Sequence, residues 1–175
     1  MRDRHTPQAA VITVSDSVHA GTRADRSGPA VRERLEQLGW EVSVLEVLPD
    51  ESPQIAARLA LLADAGRLSA IFTTGGTGIA SRDITPEATR SILDREILGL
   101  SELMRAKGRE QTPLAVLSRA VAGTRGSVLI VNLPGSPRGA VESLNAIVDL
   151  VPHMLDLLRG DTEHAVTGAE RGVRS

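Results

Sequence analysis

Aromatic side chains are almost missing from this chain. Its 175 residues hold one Trp (Trp40), one Phe (Phe72) and no Tyr. Folds that stack bases on several rings, such as RRM sheets and many OB-folds, are excluded by that count. The core must come from Leu, Val, Ile and Ala. Cysteine is absent, which removes disulfides, thiolate nucleophiles, zinc fingers and iron–sulfur clusters together. Of 20 basic residues only Lys107 is a lysine, and Gly108 follows it, so no Walker-type phosphate loop exists. The net charge of −2 comes with no basic stripe and no run of like charges, so a nucleic-acid partner is not expected. No apolar stretch approaches the ~20 residues of a membrane helix. Met1–Pro7 is polar and Ala9–Val14 is too short for a signal peptide. The expectation is a cytoplasmic protein with no membrane partner. The four histidines show no metal-ligand spacing, and no G-x-S-x-G elbow supplies a hydrolase nucleophile.

What is present is an alternation of strands and helices. Ala9–Val14 is a continuous apolar run, as for a strand buried on both faces. Ser27-Gly-Pro-Ala30 opens a helix, with Ser27 or Gly28 as cap, Val31, Leu35 and Leu38 as its stripe, and Gly39 as its stop. Glu41–Leu48 alternates as a strand nearer an edge. Ser52-Pro53 repeats the cap-plus-proline start of a helix that ends at Gly66. Ala70–Thr74 is a third strand, and Thr85, as cap, with Pro86 opens a helix carrying Ala88, Ile92 and Leu93. A helix over about Leu100–Lys107 is followed by strands near Leu117–Val121 and Val128–Asn132, separated by Gly123–Gly126. The last helical stripe runs from Val141 to Leu158, and Pro152 predicts a kink or two short helices. The expected fold is a single three-layer α/β/α domain over residues 8–160 with a mostly parallel sheet. Residues 1–7 and 161–175 are expected to be flexible tails.

In such a sheet, ligands lie outside the carboxyl ends of the strands. The segments there are Ser15-Asp16, Pro49-Asp50, the glycine loop and Leu133-Pro-Gly-Ser136. Thr74-Gly-Gly-Thr-Gly78 turns directly out of a strand, and its glycines bring backbone N–H groups close to an anion. Gly76–Ser81 fits the dinucleotide fingerprint except at Ser81, which replaces its packing glycine, so a nicotinamide-dependent oxidoreductase is a weak alternative. Asp83 stands between this loop and the next helix, where a carboxylate suits Mg²⁺ beside phosphates. Arg82 suits charge on a transferring phosphoryl group. Asp50 follows a strand and also fits an ordinary Pro-Asp turn. Ser136 fits a helix cap, a ligand donor, or both.

Taken in order, these segments resemble the MogA/MoaB family of molybdenum cofactor biosynthesis, which includes molybdopterin adenylyltransferases and the equivalent domain of gephyrin. The resemblance runs from about Ala9 to Leu158 and rests on Ser15-Asp16 with Asp25-Arg-Ser-Gly28, Pro49-Asp50, Thr73–Gly78, Arg82-Asp-Ile-Thr-Pro86, Leu117–Gly123 and Asn132–Ser136. It implies adenylyl transfer from ATP to the terminal phosphate of molybdopterin, with Mg²⁺ and release of pyrophosphate. It implies Asp50 and Asp83 as the acidic catalytic and metal-holding pair, with Arg82 beside them. Substrate binding falls by resemblance to Ser15, Asp16, Thr74, Gly75, Gly76, Thr77, Gly78, Ser118, Pro134, Gly135 and Ser136. A homotrimer and a downstream molybdenum insertion protein are implied partners. Some MoaB-type members imply a second reading, a non-catalytic molybdopterin-binding protein; the intact Arg82-Asp83 favours the catalytic branch.

Overall fold

The computed structural model describes residues 6–160. Residues 1–5 and 161–175, most of the expected tails, lie outside the described residues. Six strands form one sheet, β1 Gln8–Val14, β2 Glu41–Leu48, β3 Ala70–Thr74, β4 Arg95–Glu96, β5 Ala122–Arg125 and β6 Val128–Leu133, in the order β2-β1-β3-β6-β5-β4. β2, β1, β3 and β6 are mutually parallel, and β5 runs antiparallel to β6 and to β4. The sheet is thus mostly parallel, as expected, and β2 does occupy an edge. The helices are α1 Asp16–His19, α2 Ser27–Gln37, α3 Ser52–Asp64, α4 Thr85–Arg90, α5 Leu98–Arg109, α6 Pro137–Ile147 and α7 Val151–Leu158.

Strand residues point alternately to two cores. On one face Val11, Phe72, Leu129 and Val131 pack with α2, α5, α6 and α7 through Val31, Leu35, Met104, Leu144, Ile147 and Leu155. On the other, Ile12, Ile71 and Ile130 meet α3 and α4 through Ile55, Leu59 and Ala88. The two aromatics touch each other, Trp40 edge-on to Phe72 with centroids 6.0 Å apart. Among the described residues no helix is long and apolar enough to cross a membrane.

Several local expectations are corrected. Pro113–Leu117 is a 3-10 turn, and the strand expected over Leu117–Val121 starts at Ala122. Gly123 lies inside that strand because the neighbouring β4 backbone crowds it; a Cβ there would meet the carbonyl oxygen of Arg95. The turn is confined to Gly126-Ser127, with Gly126 at φ 55°. β4 and the one-turn α1 have no expected counterpart. Neither Ser27 nor Gly28 caps α2: Asp25 accepts the Gly28 N–H at 3.0 Å. Ser52 is likewise inside its helix, without a side-chain cap before it. Thr85 is the first residue of α4 and caps nothing, and Ile92 and Leu93 follow that helix. The break expected at Pro152 falls earlier, at the 3-10 turn Val148–Leu150, so that proline enters the first turn of α7, where its missing N–H costs nothing.

Candidate functional site

The chain leaves β1 toward β2 on one side and returns to β3 on the other, so the strand order reverses at β1. The crevice outside the carboxyl ends of β1 and β3 is where such a sheet accepts a ligand. A cleft of about 770 Å³ opens there, lined by Ser15, Asp50, Thr74, Gly75, Gly76 and Asp83 and by the α1–α2 loop. A second hollow of about 380 Å³ adjoins it across Gly76, Asp83, Gly135 and Ser136, and continues over Thr77, Gly78, Ser118 and Pro134 to Met104, Leu114 and Leu117. Every residue expected at the site therefore lines one hollow or the other, apart from Asp16 and Arg82, which stand outside both.

Backbone geometry makes the shared wall. Gly75 has φ 104°, and a Cβ on it would strike the carbonyl oxygen of Val14. Gly76 has φ 62°, and its Cβ would lie 3.0 Å from Asp50 Oδ1 and closer still to Thr85 Oγ1. Only glycine suits either position, since both the dihedral and the space forbid a side chain. The loop from β6 is fastened to this wall: Thr74 Oγ1 donates to the Pro134 carbonyl at 2.6 Å, and Ser136 Oγ accepts the Gly139 N–H at 3.2 Å as the cap of α6. Underneath, buried Asn132 donates to Thr73 Oγ1 and Thr89 Oγ1, both at 2.9 Å, while its Oδ1 accepts the Val121 N–H.

The acidic residues are held in a defined way. Asp16 and Asp50 exchange backbone bonds: the Asp16 N–H donates to Asp50 Oδ2 at 2.8 Å and the Asp50 N–H to Asp16 Oδ1 at 2.9 Å. That bond from Asp50, reinforced by Arg82, holds the Asp16 carboxyl below the usual range. Asp50 is pushed the other way. Burial raises it, and the charges of Asp16 and Asp83 add to the rise, against the Asp16 N–H and Arg82. Asp83 Oδ2 accepts the Ala80 N–H at 2.8 Å. Arg82 donates to Asp16 at 2.9 Å and to Glu51 at 3.1 Å, with more than half of its side chain exposed.

Arg119 carries no expectation from the sequence, yet it clamps the site. Its Nε donates to the Gly78 carbonyl at 2.6 Å, its other nitrogens bond the Asp83 carbonyl and the Glu87 carboxylate, and its backbone N–H donates to Thr77 O at 2.9 Å. Burial raises Glu87, but the Arg119 hydrogen bond, the residue's own backbone N–H and the charges of Arg119 and Arg90 together leave that carboxyl lowered. Arg119 sits inside the Leu117–Gly123 segment, and only the order of segments singled that segment out. Arg23 and Arg26 also line the larger cleft; Arg26 belongs to the Asp25–Gly28 segment, and neither arginine was expected at the site.

Residues 10–153 match the family model described as "Probable molybdopterin binding domain". The chain belongs to this family. It is 39% identical over 153 residues to the molybdopterin adenylyltransferase of Helicobacter pylori J99, covering 86% of this chain and 87% of that one. Over 152 residues it is also 39% identical to the molybdenum cofactor synthesis protein cinnamon of Drosophila melanogaster, of which it spans only 25%. The crystal structure of the molybdopterin biosynthesis enzyme MoaB from Thermus thermophilus superposes with a TM-score of 0.83 at 52% identity, covering 89% of this chain and 98% of that one. The family relationship places the chain in molybdenum cofactor biosynthesis.

Asp50 and Asp83 suit a magnesium ion. Each keeps one carboxylate oxygen, Oδ1, outside any hydrogen bond among the described residues, and the charge of Asp83 contributes to the rise at Asp50. No group of three or more His, Asp or Glu gathers among the described residues.

Proposed function

We propose that this chain joins molybdopterin to the adenylyl group of ATP, in a cytoplasmic step of molybdenum cofactor biosynthesis. The observation that carries the reading is the meeting of two carboxylates and a backbone-lined glycine wall at the junction of two hollows, in a chain whose relatives include named molybdopterin adenylyltransferases. The more polar cleft, with Arg23 and Arg26, suits the nucleotide. The smaller hollow, with Met104, Leu114 and Leu117, suits a flat pterin. Their shared wall is where the terminal phosphate of molybdopterin would meet the α-phosphorus of ATP. A phosphorus–oxygen bond forms there in line as the bond to the β-phosphate oxygen breaks, and pyrophosphate leaves.

Little covalent chemistry is asked of the side chains, so positioning and charge stabilisation carry the rate. The N–H groups of Gly76, Thr77 and Gly78 receive phosphate oxygens, while that of Gly75 donates to the Leu133 carbonyl and fixes the wall; Ser118 and the Pro134–Ser136 loop border the pterin side. Asp50 and Asp83 would hold magnesium, which supplies charge neutralisation to the phosphates when bound. Arg82 reaches a phosphate by exchanging Asp16 or Glu51 for it; until then it orients Asp16. A homotrimer is the proposed assembly, and a molybdenum insertion protein the proposed recipient of the product.

Purified protein given molybdopterin, ATP and Mg²⁺ is expected to release pyrophosphate. Asp83→Asn is expected to abolish release while leaving pterin affinity within a few-fold. Pterin binding by the unaltered chain without any pyrophosphate would overturn this reading in favour of a non-catalytic binder.

A further inference from the structure

Buried hydroxyls ordinarily find partners, because leaving one unpaired is costly. Thr85 Oγ1 breaks this rule. The residue is completely buried, caps no helix, and its hydroxyl has no partner among the described residues. The backbone of the same residue is pinned, its N–H donating to the Gly76 carbonyl at 3.1 Å. Across Gly76, the space left by the missing side chain is bordered by two oxygens, Thr85 Oγ1 and Asp50 Oδ1. The first is a donor with no acceptor. The second belongs to a carboxylate whose other oxygen already accepts the Asp16 N–H, while Oδ1 receives no hydrogen bond among the described residues. An unused donor and an unused acceptor thus flank one glycine Cα, at the junction of the two hollows.

We infer that Thr85 is a positioning residue for Asp50, its hydroxyl held in reserve for the liganded site. When phosphates settle on the glycine wall, a small shift of the Gly76 segment brings the hydroxyl to Asp50 Oδ1. The proton stays on Thr85, and the hydrogen bond fixes the rotation of the carboxylate facing the phosphates. The unpaired hydroxyl is the local cost of that arrangement, of the kind expected where function overrides the usual rules of packing. Glycine at position 76 is part of the same device, since any Cβ would separate the two oxygens.

The inference rests on the adenylyltransferase reading, and Thr85→Val with Thr85→Ser separates the two. Valine keeps the shape and removes the hydroxyl. Thr85→Val is expected to melt at or above the temperature of the unaltered protein, to bind molybdopterin with unchanged affinity, and to lose about ten- to a hundredfold in kcat for pyrophosphate release, the worth of a hydrogen bond to a charged group. Thr85→Ser is expected to restore most of that rate. Turnover of Thr85→Val within twofold of the unaltered protein would overturn the inference. So would a fall of several degrees in its melting temperature, because the hydroxyl would then be serving the fold, or a Thr85→Ser rate as low as that of valine. Failure of the unaltered protein to release pyrophosphate would instead count against the reading on which the inference rests.

Discussion

Asp50 stands in the folded protein at a cost. Burial and two neighbouring carboxylates lift its pKa, so the native state binds its proton more tightly than the unfolded chain does. A group of this kind destabilises the fold wherever it is ionised, and the penalty disappears as pH falls through the raised value. Asp50→Asn is therefore expected to raise the melting temperature at neutral pH and to abolish pyrophosphate release. The gain should shrink toward zero in scans at acidic pH; an equal gain at every pH would contradict this account. Asparagine can still accept the Asp16 N–H through its carbonyl oxygen, which keeps the staple between the ends of β1 and β2. Arg119 shows the complementary case of a charge used for architecture. Removing its guanidinium leaves the carbonyls of Gly78 and Asp83 without their shared donor. Arg119→Gln is expected to cost roughly 1–3 kcal/mol in urea titration, and to raise KM for both substrates through a looser glycine wall. Asp83 stood out from its place after the glycine loop, while Asp50, which also fits an ordinary turn, was joined to it by the family resemblance. Arg119 was not legible, because a guanidinium that clamps backbone carbonyls leaves no spacing signature.

At the scale of elements, the site depends on strands that agree on where they end. Asn132 enforces this from inside the sheet by tying β6 to β3, to α4 and to the segment before β5. The group is buried and every polar atom in it is paired, so its removal exposes several partners at once. Asn132→Ala is expected to cost about 2–5 kcal/mol by chemical denaturation, with a loss of pterin affinity as the Pro134–Ser136 loop loosens. A cost below about 1 kcal/mol would show that the network contributes little. The elements themselves were largely readable. Continuous apolar runs marked β1, β3 and β6, alternation marked β2, and Ser136-Pro137 marked the start of α6. Their limits were less readable where tertiary contacts decide them. β5 begins late because the residues before it bond elsewhere, Arg119 N–H to the Thr77 carbonyl and Val121 N–H to Asn132 Oδ1, and the Gly28 N–H of α2 is met by Asp25, whose carboxylate Thr13 holds at 2.7 Å.

At the scale of the whole molecule, two cores on opposite faces of one sheet hold the crevice open at a fixed width. Leu144 is fully buried in the larger core, distant in sequence from every site residue except the Pro134–Ser136 loop. Leu144→Ala is expected to destabilise the fold by roughly 2–5 kcal/mol, measured by urea unfolding, while kcat at a temperature where the protein stays folded changes little. A large loss of kcat without loss of stability would mean that this core transmits to the site directly. Composition and periodicity were enough for the layered fold and its parallel centre, and the glycine loop was visible as a motif, because burial on both faces and strand-to-loop punctuation are written locally; the pairing of Asp50 with Asp83 came from the family resemblance. Distance in space is not written locally. That β1 lies between β2 and β3, that two hollows share one wall, that Arg82 is committed to Asp16 and Glu51, and that the Thr85 hydroxyl and Asp50 border the same space at Gly76 all arise from segments far apart in the chain. These depend on how the cores draw the strands into order, and only the packed molecule brings them together.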